Sequence, residues 1–203
     1  MKENKIIKIL IPVFALIVVF ESVMLVSNLD KNTTPTGEVK IEKELTEQKM
    51  VEEPVADFIW ETDSLEMKVG KTYNVALNLL SKQDLSLDSV ETHIYFDPKM
   101  VSVSKLETNK KIGEVLKPTG IDNVKGFIRA IMWKNPDEDG YEAKKGETVE
   151  VLSFVVTPKL EGKIEFDLST SMTDDKLASI IVDSNTAKPL AYFSNILEIN
   201  VIK

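Results

Sequence analysis

The sequence predicts an all-β fold: a β-sandwich of short strands, preceded by one N-terminal transmembrane helix and a charged linker. Three observations carry this prediction. From Ala56 to Lys203 one short apolar-alternating run follows another. Turn formers such as Gly70-Lys71, Asp97-Pro98, Asp139-Gly140 and Glu161-Gly162 punctuate the runs. No stretch of that region keeps a helical period for three turns, and there is no βαβ rhythm, which leaves a sandwich of two sheets as the packing solution.

Strands are expected over residues 56–63, 65–70, 72–81, 87–96, 100–107, 126–133, 147–158, 162–169, 178–183 and 190–202. A domain of that size buries about 68–70% of its unfolded surface, enough for a real core. The run 90-VETHIYFDPKMVSVSKLE-107 is the most informative. Val90, Thr92, Ile94 and Phe96 alternate with Glu91, His93 and Tyr95, as in a strand with one wet face. The strand stops at Asp97-Pro98, because proline donates nothing to a ladder and pushes the residue before it out of helical geometry. It resumes as the β-branched run Val101-Ser102-Val103.

Composition removes several kinds of function. The chain has no Cys and one His, so thiol nucleophiles, disulfides, cysteine-based metal sites and histidine triads within it are excluded. Paired carboxylates such as Glu165 and Asp167 share one side of a strand about 7 Å apart, a spacing used in glycoside hydrolysis. No cleft signal accompanies them, and the chain is read as non-enzymatic.

Residues 1–29 are read as a cytoplasmic stub and a signal-anchor. Lys2, Lys5 and Lys8 precede twelve uncharged residues from Ile9 to Phe20, and the apolar character continues past Glu21 and Ser22 to Leu29. The 21 residues from Ile9 to Leu29 span a bilayer core at about 1.5 Å each. A cleaved secretory signal is the rival reading, but no small-residue cleavage triplet lies between Glu21 and Asp30, so the uncleaved anchor is favoured. The leading lysines place the N-terminus inside and the C-terminal domain outside, in a single-pass topology. Glu21 is costly in a bilayer, and is read either as lying towards the outer half, snorkelling or protonated, or as a functional intramembrane acid or a pairing site for another helix.

Residues 30–55 turn to Lys, Glu, Thr and Pro and are expected to act as a charged stalk. The rest, 56–203, is the sandwich. It holds −6 of the chain's net charge of −8, with one arginine, Arg129. An acidic domain of this kind has no electrostatic footprint for nucleic acid, and its expected partners are proteins or neutral glycans.

In order along the chain, 69-VGKTYNVALNLLS-81, 89-SVETHIYFDPKMVSVSKLE-107, 126-GFIRAIMW-133 and 146-GETVEVLSFVVTPKLEGKIEFDL-168 resemble the cohesin domain family, over nearly all of residues 65–203. The resemblance implies a nine-stranded jelly roll in which the Asp-Pro ends a face strand, so that the next apolar run returns to the core along the sandwich edge. It also implies a non-catalytic receptor module on a bacterial surface, in a glycan-related context. Its partners would be dockerins, calcium-loaded helical modules carried by glycan-degrading enzymes. Several family members place an Asn-x-Asp towards the dockerin, and here those positions are Ser89 and Glu91. With His93 and Tyr95, which share their side by alternation, these make the candidate partner-binding set. No cofactor is expected in the chain itself; calcium would enter through a partner.

Two further sites are candidates. The loop 135-NPDEDGYEAKKGE-147 offers Asn135, Asp137 and Asp139 ahead of Gly140 as a candidate metal set. However, Gly146 stands where a calcium loop needs its bidentate acid and Glu147 comes one residue late, so a solvated acidic hairpin is the preferred reading; Asp174 and Asp175 are likewise read as a polar loop. Trp60, Tyr95, Trp133, Tyr141 and Tyr192 would be needed in an exposed row for a direct carbohydrate-binding module, the alternative function. A structural adhesin or envelope-complex subunit is the other alternative. Trp133 shares a strand side with Phe127, Arg129 and Ile131, a pattern compatible with core or surface.

Overall fold

The computed structural model describes residues 53–203 apart from residue 174. The expected anchor at 1–29 and most of the linker at 30–55 lie outside the described residues. Among the described residues no helix is long and apolar enough to cross a membrane.

Fourteen strands are present: β1 Ala56–Thr62, β2 Glu66–Lys68, β3 Tyr73–Ser81, β4 Leu85–Tyr95, β5 Val101–Thr108, β6 Glu114–Val115, β7 Gly120–Asp122, β8 Phe127–Trp133, β9 Tyr141–Ala143, β10 Thr148–Pro158, β11 Gly162–Leu168, β12 Ile180–Asp183, β13 Tyr192–Ser194 and β14 Leu197–Ile202. Nine of these run four residues or more, and the difference from the expected count lies in short strands. Three of the short ones, β6, β7 and β9, were not expected. They are too brief to show a period and exist because β8 and the start of β4 offer them backbone partners. The segment 190–202, expected as one strand, breaks at Asn195-Ile196 into β13 and β14, which join different sheets.

One sheet has the order β13-β1-β3-β10-β5, and the other runs β2-β14-β11-β4-β8-β6, with β9 and β12 also on β4 and β7 on β8. Pairing is antiparallel except for β1 with β13 and β14 with β2. One core forms from the inward residues of both sheets. Val75, Leu77 and Leu79 enter it from β3, Ile128, Ala130 and Met132 from β8, and Ile164, Phe166 and Leu168 from β11. Alternation alone puts these side chains inside, since residues two apart on a strand share a face. In β10 the alternation is reset by a bulge between Glu150 and Leu152, which lets Val151 and Leu152 both point inward. Phe166 sits where the sheets meet, with ring centroids 5.4 Å from Phe154, 5.8 Å from Phe96 and 6.4 Å from Trp60.

The strand break at Phe96-Asp97-Pro98 transfers the chain from one sheet to the other. β4 is central in the larger sheet, whereas β5 is the outermost strand of the smaller one. Between them the Asp97 carbonyl accepts from Met100 N at 3.1 Å and its carboxylate from Lys99 N at 2.8 Å, closing a tight turn. The Pro98 carbonyl accepts from Lys159 Nζ at 2.7 Å, tying the turn to the end of β10. The free edge of β5 is closed by a side chain. The Asn123 carboxamide accepts from Val103 N at 2.9 Å and donates to Val103 O at 2.8 Å, satisfying the groups that a neighbouring strand would take.

Gly126, just ahead of β8, holds this corner. Its carbonyl accepts from Phe96 N at 2.9 Å, its φ is +71°, and an added Cβ would stand 2.0 Å from Phe96 O. Gly126→Ala is therefore expected to cost at least the ~1–3 kcal/mol of a strained left-handed residue, with the clash adding to it. Urea unfolding monitored by tryptophan fluorescence should show a lower midpoint at an unchanged slope; a midpoint equal to that of the unaltered chain would contradict this account of the corner.

Candidate functional site

β4 and β8 pair in register as Ser89 with Trp133, Glu91 with Ile131, His93 with Arg129 and Tyr95 with Phe127. Paired residues of an antiparallel ladder project to the same side, so these eight form two columns on the outer face of the larger sheet. β12 adds Ile180 beside Glu91, and β6 adds Glu114 beside Trp133. All four residues singled out in the sequence thus lie on this face, but they differ in access. Ser89, Glu91 and Tyr95 are half-buried, and His93 is 1% exposed.

His93 is covered by groups distant in sequence. The Phe127 ring lies 5.6 Å away across the strand pair, and Ser169 and Ser179 line the opposite edge of β4 through the His93 backbone. Ser179 Oγ accepts from His93 N at 2.8 Å, and His93 O accepts from Ser169 N at 3.0 Å. The same segment caps Tyr95, whose hydroxyl accepts from Leu177 N at 2.8 Å while Lys176 sits over its ring and pairs with Asp167.

The charged centre of the face is Glu91. Its Oε1 accepts from Arg129 Nε at 2.9 Å, from Arg129 Nη2, and from His93 Nε2 at 2.7 Å. Because an ionised carboxylate only accepts, His93 Nε2 carries the hydrogen, which leaves Nδ1 as a buried acceptor without a partner among the described residues. Burial works against the Glu91 charge, but hydrogen bonds from Arg129 and His93 outweigh it and hold the carboxyl below its ordinary value. Burial pushes the His93 imidazole below its ordinary value, and the hydrogen bond to Glu91 opposes this only in part.

Sequence reasoning left Trp133 undecided between core and surface; it is 50% exposed on this face. Gly113 packs so tightly against the Trp133 backbone that an added Cβ would stand 2.3 Å from its carbonyl, which fixes β6 on β8. Leu116, just past β6, donates its N–H to Ile131 O at 3.0 Å and brings a further exposed apolar side chain alongside. Leu116, Ile131, Trp133 and Ile180 thus form an apolar platform around the Glu91–Arg129 pair.

The remaining aromatics do not form an exposed row. Trp60 is half-buried and donates from Nε1 to Asn195 O at 2.8 Å, and Tyr141 donates to Glu147 at 3.3 Å. Tyr192 donates to Ser179 O at 2.7 Å, and burial pushes its hydroxyl up to about 12 despite that bond. Glu165 pairs with Lys163 at 3.0 Å, and Asp167 pairs with Lys176, so each of these carboxylates already has a lysine. A shallow groove of about 480 Å³ lies on the opposite sheet, where Glu61 and Asp63 are already engaged by Asn78 and Asn74. In the acidic hairpin Asp137 and Asp139 are exposed and Asn135 is half-buried. Among the described residues no group of three His, Cys, Asp or Glu side chains is placed to hold a metal ion.

These features define a two-sheet β-sandwich with an apolar outer platform around an internally paired Glu91 and Arg129. Within that class the described domain has the cohesin fold. It is similar to the cohesin module of a family 33 glycoside hydrolase from Clostridium perfringens, at 12% identity over 73% of this chain and 98% of that one, with a TM-score of 0.54. A type I cohesin–dockerin complex from Clostridium thermocellum matches at 11% identity over 73% of this chain and 99% of that one, TM-score 0.54. A non-cellulosomal cohesin from the archaeon Archaeoglobus fulgidus matches at 9% identity over 73% and 91%, TM-score 0.52. The chain matches no protein-family model and no curated protein sequence.

A pH dependence follows from the cluster. His93 and Glu91 both titrate lower in the folded domain than in the unfolded chain, so the unfolded chain binds more protons as acid is added. Their contribution to stability is complete above the ordinary histidine value of 6.5 and is lost as pH falls through the folded values. The urea midpoint should therefore drop between pH 7 and pH 5, and His93→Gln should flatten the upper part of that drop. A midpoint that rises on acidification would contradict the arrangement.

Proposed function

We propose that this chain is a non-catalytic docking module, held outside the cell by its N-terminal anchor and stalk, whose cohesin-fold domain receives a dockerin-type or related extracellular protein. The observation that carries the reading is the outer face centred on β4 and β8, where Trp133 and Ile131, with Leu116 past β6 and Ile180 of β12, surround a self-neutralised Glu91–Arg129 pair. A face of this composition suits a protein partner, since aromatic and aliphatic anchors with few unpaired charges characterise the buried centre of interfaces. Ser89, Glu91 and Tyr95 contribute polar contacts at its margin. His93 acts from beneath, by fixing the Glu91 carboxylate. The glycan-related setting is supported by one structural neighbour being a module of a glycoside hydrolase. The engagement of Trp60, Tyr141 and Tyr192 within the domain favours a protein partner over direct sugar stacking.

The test is a calorimetric titration of the full chain with purified calcium-loaded dockerin modules. At least one module should bind, and chelation of calcium should abolish binding by unfolding the dockerin while leaving this domain folded. Ile131→Arg, which replaces an apolar contact at the centre of the face with a long charged side chain, should weaken binding by about a hundredfold or more. If no module binds and insoluble polysaccharide retains the chain instead, the docking reading is wrong.

A further inference from the structure

We infer that His93, Glu91 and Arg129 form an acid-operated switch: when the His93 imidazole takes up a proton it holds the Glu91 carboxylate alone, and the Arg129 guanidinium turns out to solvent. Resting on the docking reading, a partner seated on this face is then released. The switch follows from how many donors one atom receives. Glu91 Oε1 accepts from Arg129 Nε at 2.9 Å, from Arg129 Nη2 and from His93 Nε2 at 2.7 Å, while Oε2 accepts nothing among the described residues. With a neutral ring the cluster is one anion and one cation. With a protonated ring it is one anion and two cations, all meeting at a single oxygen. The surplus charge has to leave the half-buried site, because leaving it there unmatched costs more than losing one ion-pair contact. Arg129 is the cation that can leave, since its side chain is 26% exposed against 2% for His93.

The ring itself is poised for the change. Its Nδ1 is buried and has no partner among the described residues, which suits the bare acceptor of a neutral ring. A proton there becomes a buried donor with nothing to accept it, so its uptake tilts the ring or draws water in past Phe127, 5.6 Å away. Few charged or titratable groups face His93. β4 supplies Glu91 and Tyr95, and β8 supplies Arg129. Asp167 of β11 and Lys176 stand beyond Tyr95 and pair with each other, and β12 brings the uncharged Ile180 beside Glu91. Burial holds His93 below its ordinary value of 6.5, and its donors hold Glu91 below the ordinary 4.5. A window therefore lies beneath pH 6.5 in which the ring gains its proton while Glu91 is still ionised. The cluster occupies the side of β4 opposite Val90, Thr92 and Ile94, which are fully buried, so this exchange of partners leaves the core packing in place.

The sequence makes the test direct, because His93 and Arg129 are the only histidine and the only arginine of the chain. The full chain, labelled with 15N at histidine and arginine alone and held in neutral detergent, gives one imidazole and one guanidinium to follow by NMR. At pH 7.5 the Arg129 Nε–H should exchange with water at least about tenfold more slowly than in free arginine at the same pH. By pH 5 that protection should be lost as His93 titrates, with the backbone amides of residues 93 and 129 still at their folded positions. His93→Gln, whose amide can donate to Glu91 but takes up no proton in this range, should keep Arg129 protected at both values. Glu91→Gln should leave Arg129 unprotected at both. The switch is overturned if His93 stays neutral at pH 5, or if it protonates and Arg129 remains protected. It is also overturned if His93→Gln loses the protection equally, or if the two backbone amides collapse together with the guanidinium signal, which would be acid unfolding. Release is read by calorimetry with a calcium-loaded dockerin, whose affinity should fall about tenfold or more from pH 7.5 to pH 5, and by no more than about twofold in His93→Gln. Equal affinity at the two values despite a freed Arg129 would refute release and leave the docking reading standing. If no dockerin binds at either value, the docking reading and release fall together, and the Arg129 signal alone decides the switch.

Discussion

Packing between Phe96 and Phe166 is the contact on which the rest of the structure depends. Phe96 is the last apolar residue before the Asp97-Pro98 turn, and Phe166 also touches Phe154 and Trp60, so this cluster pins the end of β4 to both sheets at once. With that end fixed, alternation leaves no freedom in the direction of Tyr95, His93 and Glu91: a slip of one residue would turn the core side of β4 to solvent. The Gly126 carbonyl, bonded to Phe96 N, sets the register of β8 against it. The outer face is thus a consequence of how the core closes.

Upon this scaffold the half-buried charges at the centre of the face are paired before any partner arrives. Arg129 and His93 converge on Glu91 across the β4–β8 ladder, and Lys176 from the Ser169–Ser179 segment neutralises Asp167 while covering Tyr95. Half-buried charges left unpaired would cost more than a docking contact returns, so internal pairing is what allows charged residues to sit near an apolar platform. It also explains why the platform is displaced towards Trp133 and Ile180: the strap covers the Tyr95 end and leaves the other end open.

Much of the fold was legible in the sequence, because β-branched alternation and Gly or Pro punctuation are local signals. The long strands fell within a residue or two of their expected places. β6, β7 and β9 were not legible, since two or three residues carry no period, and the break at Asn195-Ile196 was hidden in a continuous apolar run. The side of each β4 residue was legible, but its depth was not. His93 is buried beside Phe127 from a neighbouring strand, and its backbone is bonded by Ser179, which lies 86 residues away in sequence. Trp133 posed the opposite problem. Both sides of β8 are largely apolar, with Ile128, Ala130 and Met132 on one and Phe127, Ile131 and Trp133 on the other, so alternation separates the sides without saying which faces solvent. The order of motifs, through their resemblance to cohesins, carried the architecture further than composition could.

The most direct test of the account is amide hydrogen exchange of the full chain with and without a saturating calcium-loaded dockerin. Added protection should concentrate in β4, β8, β12 and the Gly113–Leu116 segment, with β1, β3, β10 and β5 unchanged. Protection confined to the β1–β3–β10–β5 sheet would place the partner on the opposite face and contradict the account.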